Sequence, residues 1–123
     1  IFTTSLSPVI CAGAIASIQY LKQHPQLRLA HQKQTRHLKE ALKTKAIPII
    51  ENDTHIVPVL VGDALKTKAM SDILLKEHHI YAQPINYPTV ATGTERLRFA
   101  PTPLHNDSMI NDLSEALFRL FAA

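Results

Sequence analysis

Glycine is scarce in this chain. Gly13, Gly62 and Gly93 are its three glycines in 123 residues, and scattered as they are they exclude a glycine-rich loop of the kind that cradles phosphates. A single cysteine, Cys11, rules out an internal disulfide and supplies no metal knuckle, so a reducing compartment, the cytoplasm, is the reading that fits. No apolar run approaches membrane-spanning length. The first residues lack the charged-then-apolar order of a signal peptide. Aromatic residues make up 6% of the chain, and none interleaves with its basic stretch, as a single-strand nucleic-acid surface would require.

What is present describes an ordinary globular domain. The apolar fraction is 46% and the charged fraction 19%, and the length suits one domain with a sizeable core. The net charge of +3 comes mostly from Lys22, Arg28, Lys33, Arg36, Lys39, Lys43 and Lys45, against Glu40 alone. On a helix Arg28, Arg36, Lys39 and Lys43 share one stripe. A solvated helix face is favoured over a nucleic-acid surface, with contact to an acidic neighbour left open. The chain enters at Ile1 straight into Phe2-Thr3-Thr4-Ser5, which reads as the interior of something longer. Its function is then expected to be a share of a larger protein's function.

Hydrophobic spacing predicts the elements. Pro8 to about Gln23 reads as a helix capped by Ser7 and apolar nearly all round, hence buried or at an interface. His24-Pro25 breaks it. A second helix follows from about Gln26 to Lys45, with Leu27, Ala30, Leu38, Ala41 and Leu42 inward. Ile47–Ile50 reads as a short edge strand and His55–Val61 as the strongest strand. A helix from about Ala64 to Glu77 comes next, then strands at Ile80–Ile85 and Arg96–Phe99. A closing helix runs from Asn106 or Asp107 to about Phe121. That order predicts an α+β fold, a small mostly antiparallel sheet with helices packed on one face.

The candidate functional residues gather in two places. Ile85-Asn86-Tyr87-Pro88-Thr89-Val90 reads as a loop that leads, through Gly93-Thr94-Glu95, into the strand Arg96-Leu97-Arg98-Phe99. If Leu97 and Phe99 are buried, Arg96 and Arg98 share the other face. A guanidinium there suits a carboxylate, which its planar fork grips with two parallel hydrogen bonds; solvation or pairing with Glu95 is the bland alternative. Thr89 presents its hydroxyl from a loop stiffened by Pro88, although a turn threonine bonded to its own backbone would look the same. Thr3 and Thr4 stand just ahead of a helix N-terminus, where hydroxyls and backbone amides suit an anion, unless they serve only the turn. The seven histidines do not fall at metal-ligand spacing: His78 and His79 are adjacent, and His31 and His37 are not at i, i+4. No metal is expected. Cys11, set in an apolar helix, reads as an inert packing residue.

Asn86-Tyr87-Pro88-Thr89, Gly93-Thr94-Glu95-Arg96-Leu97-Arg98, Phe2-Thr3-Thr4-Ser5-Leu6, His55-Ile56-Val57-Pro58-Val59 and Pro101-Thr102-Pro103-Leu104-His105 together resemble the α-oxoamine synthases. These are fold-type I pyridoxal-phosphate enzymes that join an amino acid to an acyl-CoA. The resemblance covers almost the whole chain. It implies that residues 24–123 form the small C-terminal domain of such an enzyme, with residues 1–23 the helix connecting it to the large domain. It further implies that Arg98 grips the carboxylate of glycine and Thr89 contacts a succinyl group, so the substrates would be glycine and succinyl-CoA. Thr3 and Thr4 would reach the pyridoxal 5'-phosphate of a neighbouring subunit, making a homodimer with a shared active site and no nucleic-acid or membrane partner. The Schiff-base lysine would lie upstream, leaving no catalytic residue in this segment, which would be inactive alone. Ser7, Ala91 and Ala100 depart from the family pattern without removing a proposed contact. Members of the family with other acyl donors, and a non-catalytic basic α/β binding module, are the alternatives.

Overall fold

The computed structural model describes residues 4–122. Among them run α1 (Pro8–Gln23), α2 (Pro25–Thr44), β1 (Val57–Leu60), α3 (Ala64–His78), β2 (Gln83–Ile85), β3 (Arg96–Phe99) and α4 (Asp107–Ala122). The strands form one antiparallel sheet in the order β1-β3-β2, which places the last strand in the middle. The expected α+β architecture is the one observed.

Alternation along β3 divides the sheet. Leu97 and Phe99 are buried, while Arg96 and Arg98 point away. Directly opposite residues share a face, so Val57 and Val59 of β1, paired with Phe99 and Leu97, join the buried side. Helices α2 and α3 contact the sheet, and α4 packs on both helices. Leu38 and Leu42, Met70 and Leu74, and Ile110, Leu113 and Leu117 complete one core from these three helices. The opposite face carries two cross-strand rows, Pro58–Arg98–Gln83 and Leu60–Arg96–Ile85. Among the described residues no helix covers those rows.

The helix ends follow local chemistry. Pro8 and Pro25 each sit in a first turn, where a missing N–H costs nothing. His24 separates the two helices, its ring stacked on Tyr20 at 3.9 Å. Asp63 caps α3 by accepting the Lys66 N–H at 2.7 Å. Helix α1 makes contact only with α2 and has no buried residue. Val9, Ile10, Ile15, Ile18 and Leu21 are all exposed, so the expected burial is not met among the described residues.

One expected strand is absent. Ile47–Ile50 forms no strand; Ile49 makes a single isolated bridge to Val59. Pro48 lacks a donor, and although its carbonyl takes the Leu60 N–H at 2.8 Å, the ladder cannot extend. The basic stripe is solvated as expected at Arg28, Arg36 and Lys43, and lysines of its region also make contacts. Lys39 donates to the carbonyls of Asn52 and Thr54 at 2.6 and 3.0 Å, Lys43 pairs with Glu51 at 2.7 Å, and Lys45 pairs with Glu115. Lys39 and Lys43 of the stripe thus contact the loop ahead of β1, and Lys45 beyond it ties the end of α2 to α4, which weakens the nucleic-acid reading. Among the described residues no helix is long and apolar enough to cross a membrane, and no three of His, Cys, Asp and Glu are grouped to hold a metal.

The Lys45–Glu115 contact has a consequence for pH. The hydrogen bond from Lys45, then its charge, holds the Glu115 carboxyl below the ordinary glutamate range. A lowered carboxyl contributes stability above its unfolded value and loses it as pH falls through the folded one. The expected result is a Glu115→Gln variant that melts below the parent at neutral pH, the gap closing as pH drops through and below the ordinary glutamate range. Parallel melting curves across that window check it; a gap that persists or widens in acid would contradict the link.

Candidate functional site

The loop between β2 and β3 is fastened at several points. Asn86 donates from its side chain to the Ala64 carbonyl at 3.3 Å, which ties the loop to the start of α3. The Thr89 N–H returns to the Asn86 carbonyl at 2.9 Å, closing a turn through the cis Tyr87–Pro88 bond. Glu95 is buried and accepts the Gly93 N–H on its carboxylate at 2.9 Å. Its own carbonyl accepts the N–H groups of Val61 and Gly62 at 2.9 and 3.0 Å. Gly93 (φ 83°) and Gly62 (φ 79°) both take left-handed backbone, and a Cβ on Gly62 would meet the Gly93 carbonyl at 3.4 Å. Glycine is the residue that tolerates both demands.

Glu95 is thus a fastening for the loop and not a partner for the arginines. Arg96 turns its Nε to the Thr94 carbonyl at 2.8 Å. Arg98 is exposed and, among the described residues, makes no ion pair or hydrogen bond with the protein. It lies on a cleft of about 610 Å³ at the far end of β3 from the loop. Gln83 and Tyr81 line that cleft, as do His79 at the end of α3, His105 before α4 and Met109 within it. His105 is itself held, accepting the Thr102 N–H on Nδ1 at 2.8 Å. A guanidinium so placed is chemically able to take an anion in its fork.

Thr89 and Thr4 do not line that cleft. Thr89 is exposed on the loop, with no side-chain hydrogen bond among the described residues. Thr4 is exposed ahead of α1. There Ser7 occupies the cap position without bonding the helix through its side chain. Thr3 lies outside the described residues. Cys11 is half-buried on α1. Pairing of an arginine with Glu95, the bland alternative from the sequence, is not what the fold provides. The structure instead sets Gln83 beside Arg98 across the ladder, a juxtaposition that depends on strand order and register and left no mark on local spacing.

A family described as aminotransferase class I and II matches residues 1–117. The 5-aminolevulinate synthase of Bradyrhizobium diazoefficiens is 50% identical over 121 residues, which is 98% of this chain and 30% of that protein. The 5-aminolevulinate synthase 1 of Cereibacter sphaeroides is 54% identical over 117 residues, 95% of this chain and 29% of its own. The chain therefore spans about a third of the length of the curated relatives it matches. Among solved structures, a serine palmitoyltransferase of S. paucimobilis with PLP and myriocin bound superposes with a TM-score of 0.85 at 27% identity, over 99% of this chain and 31% of that one. An 8-amino-7-oxononanoate synthase of Francisella tularensis shares the fold, with a TM-score of 0.81 at 22% identity over 99% of this chain and 35% of its own. With the match running from the first residue into α4, and the same fold in enzymes that carry PLP, the chain belongs to the aminotransferase class I and II family.

Proposed function

We propose that this chain is the C-terminal share of a 5-aminolevulinate synthase, which condenses glycine with succinyl-CoA to give 5-aminolevulinate, coenzyme A and carbon dioxide, an entry step of tetrapyrrole and haem biosynthesis. The observation that carries the reading is Arg98, exposed on a cleft wall without an internal partner, in a chain half identical along its length to proteins of that name. Residues 24–123 are its small domain and residues 1–23 the connecting helix. The exposed apolar side of α1 supports a covered position for that helix in a homodimer.

The residues present fit one end of pyridoxal 5'-phosphate. Thr4 and the first turn of α1, whose cap side chain leaves the backbone donors unengaged, suit its phosphate; Thr3 belongs to the same proposal. No lysine of this chain suits the Schiff base, which needs a desolvated amine. The lysines here lie on exposed helix faces or are spent in ion pairs and backbone contacts. When bound, pyridoxal phosphate supplies an electron sink for charge developing at the substrate α-carbon.

The work left to this chain is binding and orientation. Arg98 takes the glycine carboxylate in its fork and so fixes the direction of the α-carbon bonds. Thr89 takes the distal carboxylate of the succinyl group from the loop that Glu95 and Asn86 fasten. The two carboxylates are held apart, since Arg98 lies two residues beyond the loop end of β3, about 7 Å along a strand. Two anchors at a distance suit two substrates whose reacting carbons must meet between them. The expected result for the complete enzyme is turnover with succinyl-CoA that exceeds that with acetyl- or pimeloyl-thioesters, measured as aminoketone product. A preference for a thioester without a distal carboxylate would move the assignment to another member of the family.

A further inference from the structure

Gln83 stands directly opposite Arg98 across the β2–β3 ladder. Both side chains leave the uncovered face, and both line the same cleft. Residues opposed in this way hold their Cβ atoms about 5 Å apart. On the other flank of Arg98 stands Pro58, whose ring offers no polar atom. Gln83 is therefore the polar neighbour that the sheet itself gives to Arg98.

Its amide is held at both ends. The Tyr81 hydroxyl donates to Gln83 Oε1 at 2.5 Å, and Gln83 Nε2 donates to the Pro84 carbonyl at 3.2 Å. The oxygen is thus engaged, while the nitrogen keeps its second hydrogen. A carboxylate gripped by an arginine fork uses one lone pair on each oxygen and has others to offer. A neutral donor neither repels the guanidinium, as a lysine would, nor competes for it, as a glutamate would.

We propose that Gln83 is a further substrate-binding residue, its amide N–H donating to the carboxylate that Arg98 grips, with Tyr81 the positioning residue that keeps the amide turned that way. The proposal rests on the reading of Arg98 given above and deepens it. A third donor, off the axis of the fork, stops the carboxylate rocking in its grip. Glycine has no side chain through which a protein could hold it, so its orientation depends wholly on its two polar ends. Loss of this donor therefore falls on glycine and not on the acyl donor.

The test uses the complete enzyme, with glycine and succinyl-CoA saturation measured separately. Gln83→Leu is expected to raise the glycine KM roughly tenfold, the loss of one hydrogen bond to a charged group, and to leave the succinyl-CoA KM within about twofold, no more than the spread of a neutral change. Gln83→Glu, which ties up Arg98, raises the glycine KM further. Tyr81→Phe, at a residue 69% exposed and so free of core packing, gives a smaller rise of the same kind. Arg98→Leu is run beside them. If Arg98→Leu raises the glycine KM while Gln83→Leu and Tyr81→Phe do not, the role of Gln83 is overturned and that of Arg98 stands. If Arg98→Leu leaves glycine saturation unchanged, the Arg98 reading fails and this one with it. A rise in both KM values together would mark Gln83 as structural and overturn the proposal.

Discussion

On the proposed function, replacing Arg98 by leucine in the complete protein is expected to raise the glycine concentration needed for half-saturation by roughly two orders of magnitude. The estimate follows from what the substitution removes. Truncating one partner of a hydrogen-bonded charge pair costs about 2–5 kcal/mol, which is roughly 30- to 5,000-fold in kcat/KM. The guanidinium is on the wall of an open cleft and not sealed in the core, and water screens part of the interaction, so the lower half of that range applies. A carboxylate gripped alike before and during reaction puts the loss on KM more than on kcat. Arg98→Lys keeps the charge but loses the fork, and should recover only part of the affinity. Folding should be unaffected in both variants, since the side chain has no internal partner to lose. Glycine saturation unchanged in Arg98→Leu would contradict the assigned role.

The strand that carries Arg98 was legible at its observed bounds. Arg96-Leu97-Arg98-Phe99 alternates strictly, and a sheet with one buried face imposes that period on its sequence. The helices were legible for a similar reason, since Pro8, Pro25 and the spaced leucines of α4 mark start and inward face locally. Ile47–Ile50 misled because apolar content suggests a strand while Pro48 withholds the donor that a ladder needs. The fate of Lys39, Lys43 and Lys45 was not legible. Their partners Asn52, Thr54, Glu51 and Glu115 come from a loop and a distant helix, and only the tertiary fold sets them within reach.

The site shows the same division. The residue types were readable from the sequence, because an arginine on the polar side of an alternating strand and a threonine beside a proline announce their chemistry. Their mutual placement was not. The sequence sets Thr89 and Arg98 nine residues apart, which suggests one cluster, whereas the sheet sends Arg98 toward the opposite end and onto a cleft walled by α4. Gln83 escaped notice altogether, because it meets Arg98 only through the antiparallel register of β2 with β3. Chemistry is written in the residue, and juxtaposition in the topology.

Leu97→Ala should cost about 2–5 kcal/mol of stability, the range for emptying a buried leucine site. Leu97 is 0% exposed and sits on the central strand between Val59 and Pro84, so no edge can relax into the space. By contrast Leu104, which is 89% exposed, should tolerate alanine to within about 0.5 kcal/mol. Denaturant midpoints of the two variants check the difference, and similar midpoints would mean the core does not centre on β3. Adjacent residues usually couple when mutated together, yet Leu97 and Arg98 face opposite sides of the sheet. The double variant Leu97→Ala/Arg98→Leu should therefore unfold with the midpoint of Leu97→Ala alone, while its glycine KM follows Arg98→Leu. An added loss of stability well beyond about 0.5 kcal/mol in the double variant would mean that Arg98 helps hold the sheet. It would then be a structural residue, and the clean division of one strand into a face for stability and a face for substrate would not hold.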